Sequence, residues 1–129
     1  MVEFIYSEQT NINLIKSYMP KLRDFCDEHN IVFFEPSEEN KKKVEELMKT
    51  IKFPDIEQDM KCYITYFGPW GMYFPEDNCI SICPINIEKA PGGLKGVVLH
   101  EITHLKHPEV DGLDYEDKEK YINEKEREQ

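Results

Sequence analysis

Positive charge is scarce in this chain of 129 residues: 16 Lys and Arg face 26 Asp and Glu, a formal net charge of −10. Nucleic acid and anionic lipid attract cationic surfaces, so the deficit argues against either as a partner. Long apolar runs are missing too. Nothing approaches the ~20 residues that span a bilayer, and no apolar segment follows a basic N-terminus as in a signal peptide. The expectation is a soluble, cytoplasmic protein without membrane insertion. Cysteine is sparse, and of Cys26, Cys62, Cys79 and Cys83 only the last two stand close together. Without a second close pair there is no zinc ribbon, and the four read as reduced, partly buried, small apolar side chains. There is no internal repeat and no linker rich in Gly or Ser, so residues 1–129 read as one domain. What the chain does have is bulk. Seven Phe, seven Tyr and one Trp, within a 40% apolar composition, suffice for a single core.

Hydropathy patterning divides that domain into an N-terminal part over residues 1–60, a sheet over 61–88 and two helices. Residues 2–6 (VEFIY) read as a short strand. Residues 11–29 carry Ile12, Leu14, Ile15, Tyr18, Leu22, Phe25 and Cys26 at helical spacing, with Pro20 expected to kink or split the helix. The apolar run 31–34 reads as a strand, and Ser37 as the N-cap of a helix over 38–51. Residues 62–67 are rich in β-formers, Gly68-Pro69-Trp70-Gly71 supplies a turn, and 72–74 return. Residues 79–82 and 85–87 resemble an edge strand interrupted at Pro84, which cannot donate to a ladder. A helix over 94–107 stops at Pro108, and Asp114 caps a charged C-terminal helix over 114–129. The fold class is α+β, a small domain with a short, mostly antiparallel sheet and an edge strand preceding the 94–107 helix.

That helix contains His100-Glu101-Ile102-Thr103-His104, an H-E-x-x-H sequence. Residues four apart share a helix face, so two such imidazoles can bind one Zn²⁺ at roughly 2.0–2.1 Å each. Glu101 lies about 100° around the helix, placed to take a proton from a metal-bound water and pass it to a leaving amine. Leu94, Val98, Ile102 and Leu105 form a separate stripe that would anchor the helix in the core. His107 repeats the histidine spacing, but seven residues of helix rise about 10 Å, too far for one metal to take both His100 and His107. His107 therefore reads as a C-terminal cap or a cleft-lining side chain. No histidine follows it. The third protein ligand is left as a carboxylate or a cysteine.

Residues 99–106 (LHEITHLK) resemble the active-site helix of gluzincin metallopeptidases, and the small size with the VVLHEITHLKH wording is most similar to the minigluzincins, minimal soluble relatives of integral-membrane peptidase catalytic domains. The resemblance is strong over residues 94–107, extends to 79–129, and leaves the first 60 or so unassigned. It implies a zinc metallopeptidase with a glutamate on a following helix as third ligand. In thermolysin-like members that glutamate follows an asparagine, twenty residues after the second histidine, which here selects Glu124 behind Asn123. An acidic residue four positions later, here Glu128, would hydrogen-bond a ligand histidine. Glu116 and Glu119 remain alternatives, because a solvated charged helix accounts for most carboxylates in so acidic a stretch.

The same resemblance places an extended peptide or unfolded protein segment along the edge strand above the active-site helix, which the sequence locates around 79–83. Pairing of that kind gives affinity with little sequence preference. Tyr115, Tyr121 and His107 are candidates to stabilise the carbonyl oxygen, and Trp70 reads as core before cleft. The C-terminal helix, short of apolar residues, could hold a homodimer together or lie over the cleft of a latent enzyme. A different class of function is an interaction module with a structural zinc, which would bring Cys79 or Cys83 to His100 and His104.

Overall fold

Ser7 ends the first strand and starts the first helix: its extended backbone and a hydroxyl accepting the Thr10 N–H at 3.2 Å make it an N-cap. The computed structural model describes residues 1–127. In chain order the elements are β1 (Val2–Tyr6), α1 (Glu8–Glu28), α2 (Glu38–Leu47), β2 (Met60–Ile64), β3 (Gly71–Phe74), β4 (Cys79–Ile82), α3 (Gly93–Lys106) and α4 (Tyr115–Arg127). Single 3₁₀ turns at Ile87–Lys89 and Pro108–Val110 flank α3. Ser37 caps α2 as its sequence implies, its hydroxyl 3.1 Å from the Asn40 N–H. Pro20 lies on the exposed side of α1, which runs on through it unsplit.

The α+β class holds, and the sheet within it is mixed, in the order β1-β2-β4-β3. Two of its three pairings, β1 with β2 and β2 with β4, are parallel, and only β3 with β4 is antiparallel. This differs from the mostly antiparallel expectation for a topological reason. Both α1 and α2 intervene between β1 and β2, the length of crossover that parallel neighbours need. After β2 the chain skips one place, runs out as β3, and turns back through residues 75–78 into the gap as β4. The edge strands are therefore β1 and β3, and the 79–83 segment is interior, with Ile80, Ile82 and Cys83 fully buried. Pro84 follows the end of β4 and marks no edge. Residues 31–34 form no strand either, as only Phe34 makes a bridge, to Gly68.

The core lies between the sheet and α3, where Cys62, Ile64, Ile80 and Ile82 meet Val98 and Ile102, with Leu94 and Leu105 packed at its margin. No helix among the described residues is long and apolar enough to cross a membrane. On the other side α1 is tied to the end of β2 by Asn11, which is 1% exposed. Its amide donates to the carbonyls of Ser7 and Ile64, both at 3.0 Å, and its Oδ1 accepts the Tyr66 N–H at 3.0 Å. Replacing it strands a buried backbone donor and acceptor. Asn11→Ala is expected to lower stability by about 1–3 kcal/mol or more in urea unfolding, and an unchanged midpoint would show that this link does not hold α1.

Candidate metal centre

Three rows of side chains on α3 look in different directions. Val98 and Ile102 enter the core, Val97, Glu101 and His104 lie under β3, and His100 turns toward α4. The strand can approach so closely because residue 71 is glycine. A Cβ there would stand 2.8 Å from both Glu101 Cγ and Val97 Cγ1. Tyr73, two residues on and so on the same face of the strand, lays its ring on His104 with centroids 4.2 Å apart and planes 7° from parallel.

A short connection then returns α4 across α3. His107 caps the helix C-terminus, its backbone N–H donating to the His104 carbonyl at 3.3 Å. Val110 is buried in the 3₁₀ turn that follows, and Asp114 starts α4 by accepting the Asp117 N–H at 2.9 Å. Ile122, fully buried, seats the helix. The first half of α4 thereby reaches the histidines. Glu119 Oε2 lies 2.7 Å from His100 Nε2, and its Oε1 lies 3.0 Å from His104 Nε2. Glu126 Oε1 is 2.6 Å from His100 Nδ1, an ion-pair distance without hydrogen-bond alignment.

The carboxylate between the two imidazoles is thus Glu119, one of the alternatives, and not Glu124. Glu124 and Glu116 are exposed, and Glu128 lies outside the described residues. Helix geometry explains the choice. Glu126 is seven residues beyond Glu119 and returns to within about 20° of it, whereas Glu124 is turned about 140° away. Glu126 lies beside His100 at ion-pair distance, without the hydrogen bond that the resemblance implied for Glu128. Tyr115 lines the cleft, while Tyr121 and His107 lie outside it with their rings 5.8 Å apart. Trp70 lines it too, with its indole N–H donating to the Ile85 carbonyl at 2.9 Å. The sequence reads Gly71 as part of a turn and places Tyr73 in the segment that returns from it, and gives neither a role in the site, although their alternate spacing is a usable signal.

His100, His104 and Glu119 each offer one donor atom, all within 4.8 Å of one another. Two imidazole nitrogens and one carboxylate oxygen are a set of donors that can hold a metal ion such as Zn²⁺. No cysteine belongs to this group, and all four thiols are free. The donors open into a cleft of about 840 Å³, walled on one side by Tyr18, Leu22 and Phe25 of α1. Comparison with protein-family models, curated proteins and solved structures finds no match to the chain.

Burial governs the charges here. Glu101 is pushed up to about 7, by desolvation first, with His100 opposing and the Glu119 and Glu126 charges reinforcing it. For His100 burial works against the charged form, but the contact with Glu119 and the charges of Glu101, Glu119 and Glu126 outweigh it and raise it to about 9. Burial likewise opposes the Glu119 charge, and the two histidines overcome it, holding the carboxyl at about 2. The phenol of Tyr73 is raised well above its ordinary range, by burial and then by Asp111.

These shifts give the metal-free protein a defined pH response. The Glu119 contribution is complete above its ordinary 4.5 and is lost as pH falls toward about 2. The His100 contribution is complete below 6.5 and is lost as pH rises through about 9. Glu101 adds a penalty that grows from its ordinary 4.5 to about 7, the range in which the unfolded chain's carboxyl ionises while the buried acid keeps its proton. The melting temperature of chelator-treated protein should therefore peak near pH 5 and fall toward pH 9, and Glu101→Gln should remove the part of the fall below about pH 7. A profile flat from about pH 5 to 9 would contradict this assignment.

Proposed function

We propose that the chain is a zinc-dependent metallopeptidase that hydrolyses peptide bonds in peptides or unfolded protein segments. The observation that carries this reading is the convergence of His100, His104 and Glu119 in one cleft beside a buried Glu101. His100, His104 and Glu119 would hold the metal, with the Glu126 carboxylate 2.6 Å from the other nitrogen of His100. Bound zinc supplies Lewis acidity and lowers the pKa of water. The proton work belongs to Glu101. Its carboxyl is buried beside the three donors, where it can take a proton from the attacking water and return it to the leaving amine.

A polypeptide suits the rest of the cleft. Among the described residues β3 has one unpaired edge, where an extended peptide can add as a further strand. The α1 wall of Tyr18, Leu22 and Phe25 offers apolar contact to its side chains. A structural-zinc module lacks comparable support, since closed sites take a fourth protein donor, usually with cysteine among the four. The contribution of Glu119 also makes α4 a part of the site, which favours catalysis over a helix that merely covers the cleft.

Elemental analysis after dialysis against zinc and then a weak chelator should find about one zinc per chain. His100→Ala and Glu119→Ala should lose it, and Glu124→Ala should keep it. On an unfolded protein substrate, Glu101→Gln should retain the metal and lose about 10²–10⁴-fold in turnover. A folded wild-type protein that retains no zinc would sink the proposal.

A further inference from the structure

The two histidines are held unequally. A carboxylate oxygen lies beside each nitrogen of His100, Glu119 at 2.7 Å and Glu126 at 2.6 Å, the second at ion-pair distance without hydrogen-bond alignment. His104 has Glu119 at 3.0 Å from Nε2, but its Nδ1 is buried without a hydrogen-bond partner among the described residues. A histidine that ligates a metal ordinarily uses that second nitrogen to fix its tautomer and orientation. Contact at one nitrogen leaves the ring free to rotate about the line through it. Some other group has to stop that rotation.

We infer that Tyr73 is the positioning residue for His104, its ring setting by stacking the plane that no hydrogen bond sets at Nδ1. This rests on the metal-site reading above. The two rings lie 7° from parallel with centroids 4.2 Å apart, and His104 is 2% exposed, so a swing of the imidazole would collide with the phenol face. The phenol is itself fixed at both ends. Its backbone is paired with Ile80 in the sheet. Its hydroxyl donates to Asp111 Oδ1 at 3.3 Å and accepts from Lys118 Nζ at 3.1 Å. Lys118 is the neighbour of Glu119 in α4, so one chain of contacts braces two donors: β3 holds Tyr73, Tyr73 holds His104, and the Tyr73 hydroxyl holds the turn of α4 that carries Glu119.

The test is zinc affinity, measured on the full chain by competition with a chromogenic chelator, together with the visible spectrum of the Co²⁺ form. Tyr73→Leu removes ring and anchor, and it should weaken zinc binding about 10–100-fold and change the Co²⁺ spectrum. Tyr73→Phe keeps the stack and loses only the hydroxyl contacts, so its loss should be smaller. A purely structural tyrosine would lower the melting temperature of the Leu variant and leave affinity and spectrum as in wild type, which would overturn the inference. If Tyr73→Leu does not fold, Tyr73→Val, which removes the ring but keeps a strand-forming residue in β3, takes its place, and unchanged affinity and spectrum in that variant would overturn the inference equally. Wild-type protein serves as the reference. Should it bind no zinc, the metallopeptidase reading falls and this inference with it. Should it bind zinc while every Tyr73 variant binds as well, only the positioning role falls.

Discussion

Three carboxylates, Glu101, Glu119 and Glu126, converge on one imidazole, and so much negative charge cannot be taken out of water without a cation among them. That requirement explains the chemistry of the whole cleft. One carboxyl, deepest and under the sheet, is driven toward its neutral form, while another is held ionised by two imidazoles. Neighbouring acids pushed in opposite directions are a recurrent feature of sites that move protons. A divalent ion held by His100, His104 and Glu119 would answer the requirement more fully than one protonated histidine, and binding of that kind contributes directly to folding free energy.

The attachment of α4 follows from the same balance. Its mean composition is strongly polar, and Ile122 is its one fully buried residue. Little apolar area holds it, so its polar contacts with His100, His104 and Tyr73 carry an unusual share of its docking. The helix that completes the donor set thus depends on the site for its own place, which couples its order to the charge state of the cleft.

Much of this was legible in the residues. The H-E-x-x-H spacing placed His100, Glu101 and His104 on one helix, and the Leu94, Val98, Ile102, Leu105 stripe showed which side enters the core. The caps at Ser37 and Asp114 were readable because a side-chain oxygen before a helical pattern has few other uses. The third carboxylate was not. Nearly every turn of α4 offers an acid, and the choice depends on where a short connection sets the helix down, a fact of tertiary packing. Sheet order was hidden for a similar reason, since a strand that skips one place and returns has the same local pattern as a simple meander. Gly71 and Tyr73 fall between these cases. Alternation put them on one face, but only the approach of α3 gives that face its meaning.

Trp70 has a practical consequence. It is the sole tryptophan of the chain, half-buried on the wall of the cleft, with its indole nitrogen fixed to the Ile85 carbonyl. The intrinsic tryptophan emission of the whole protein therefore originates at the cleft. Any molecule that enters beside β3 changes the surroundings of that one fluorophore, so occupancy can be followed on the unlabelled protein.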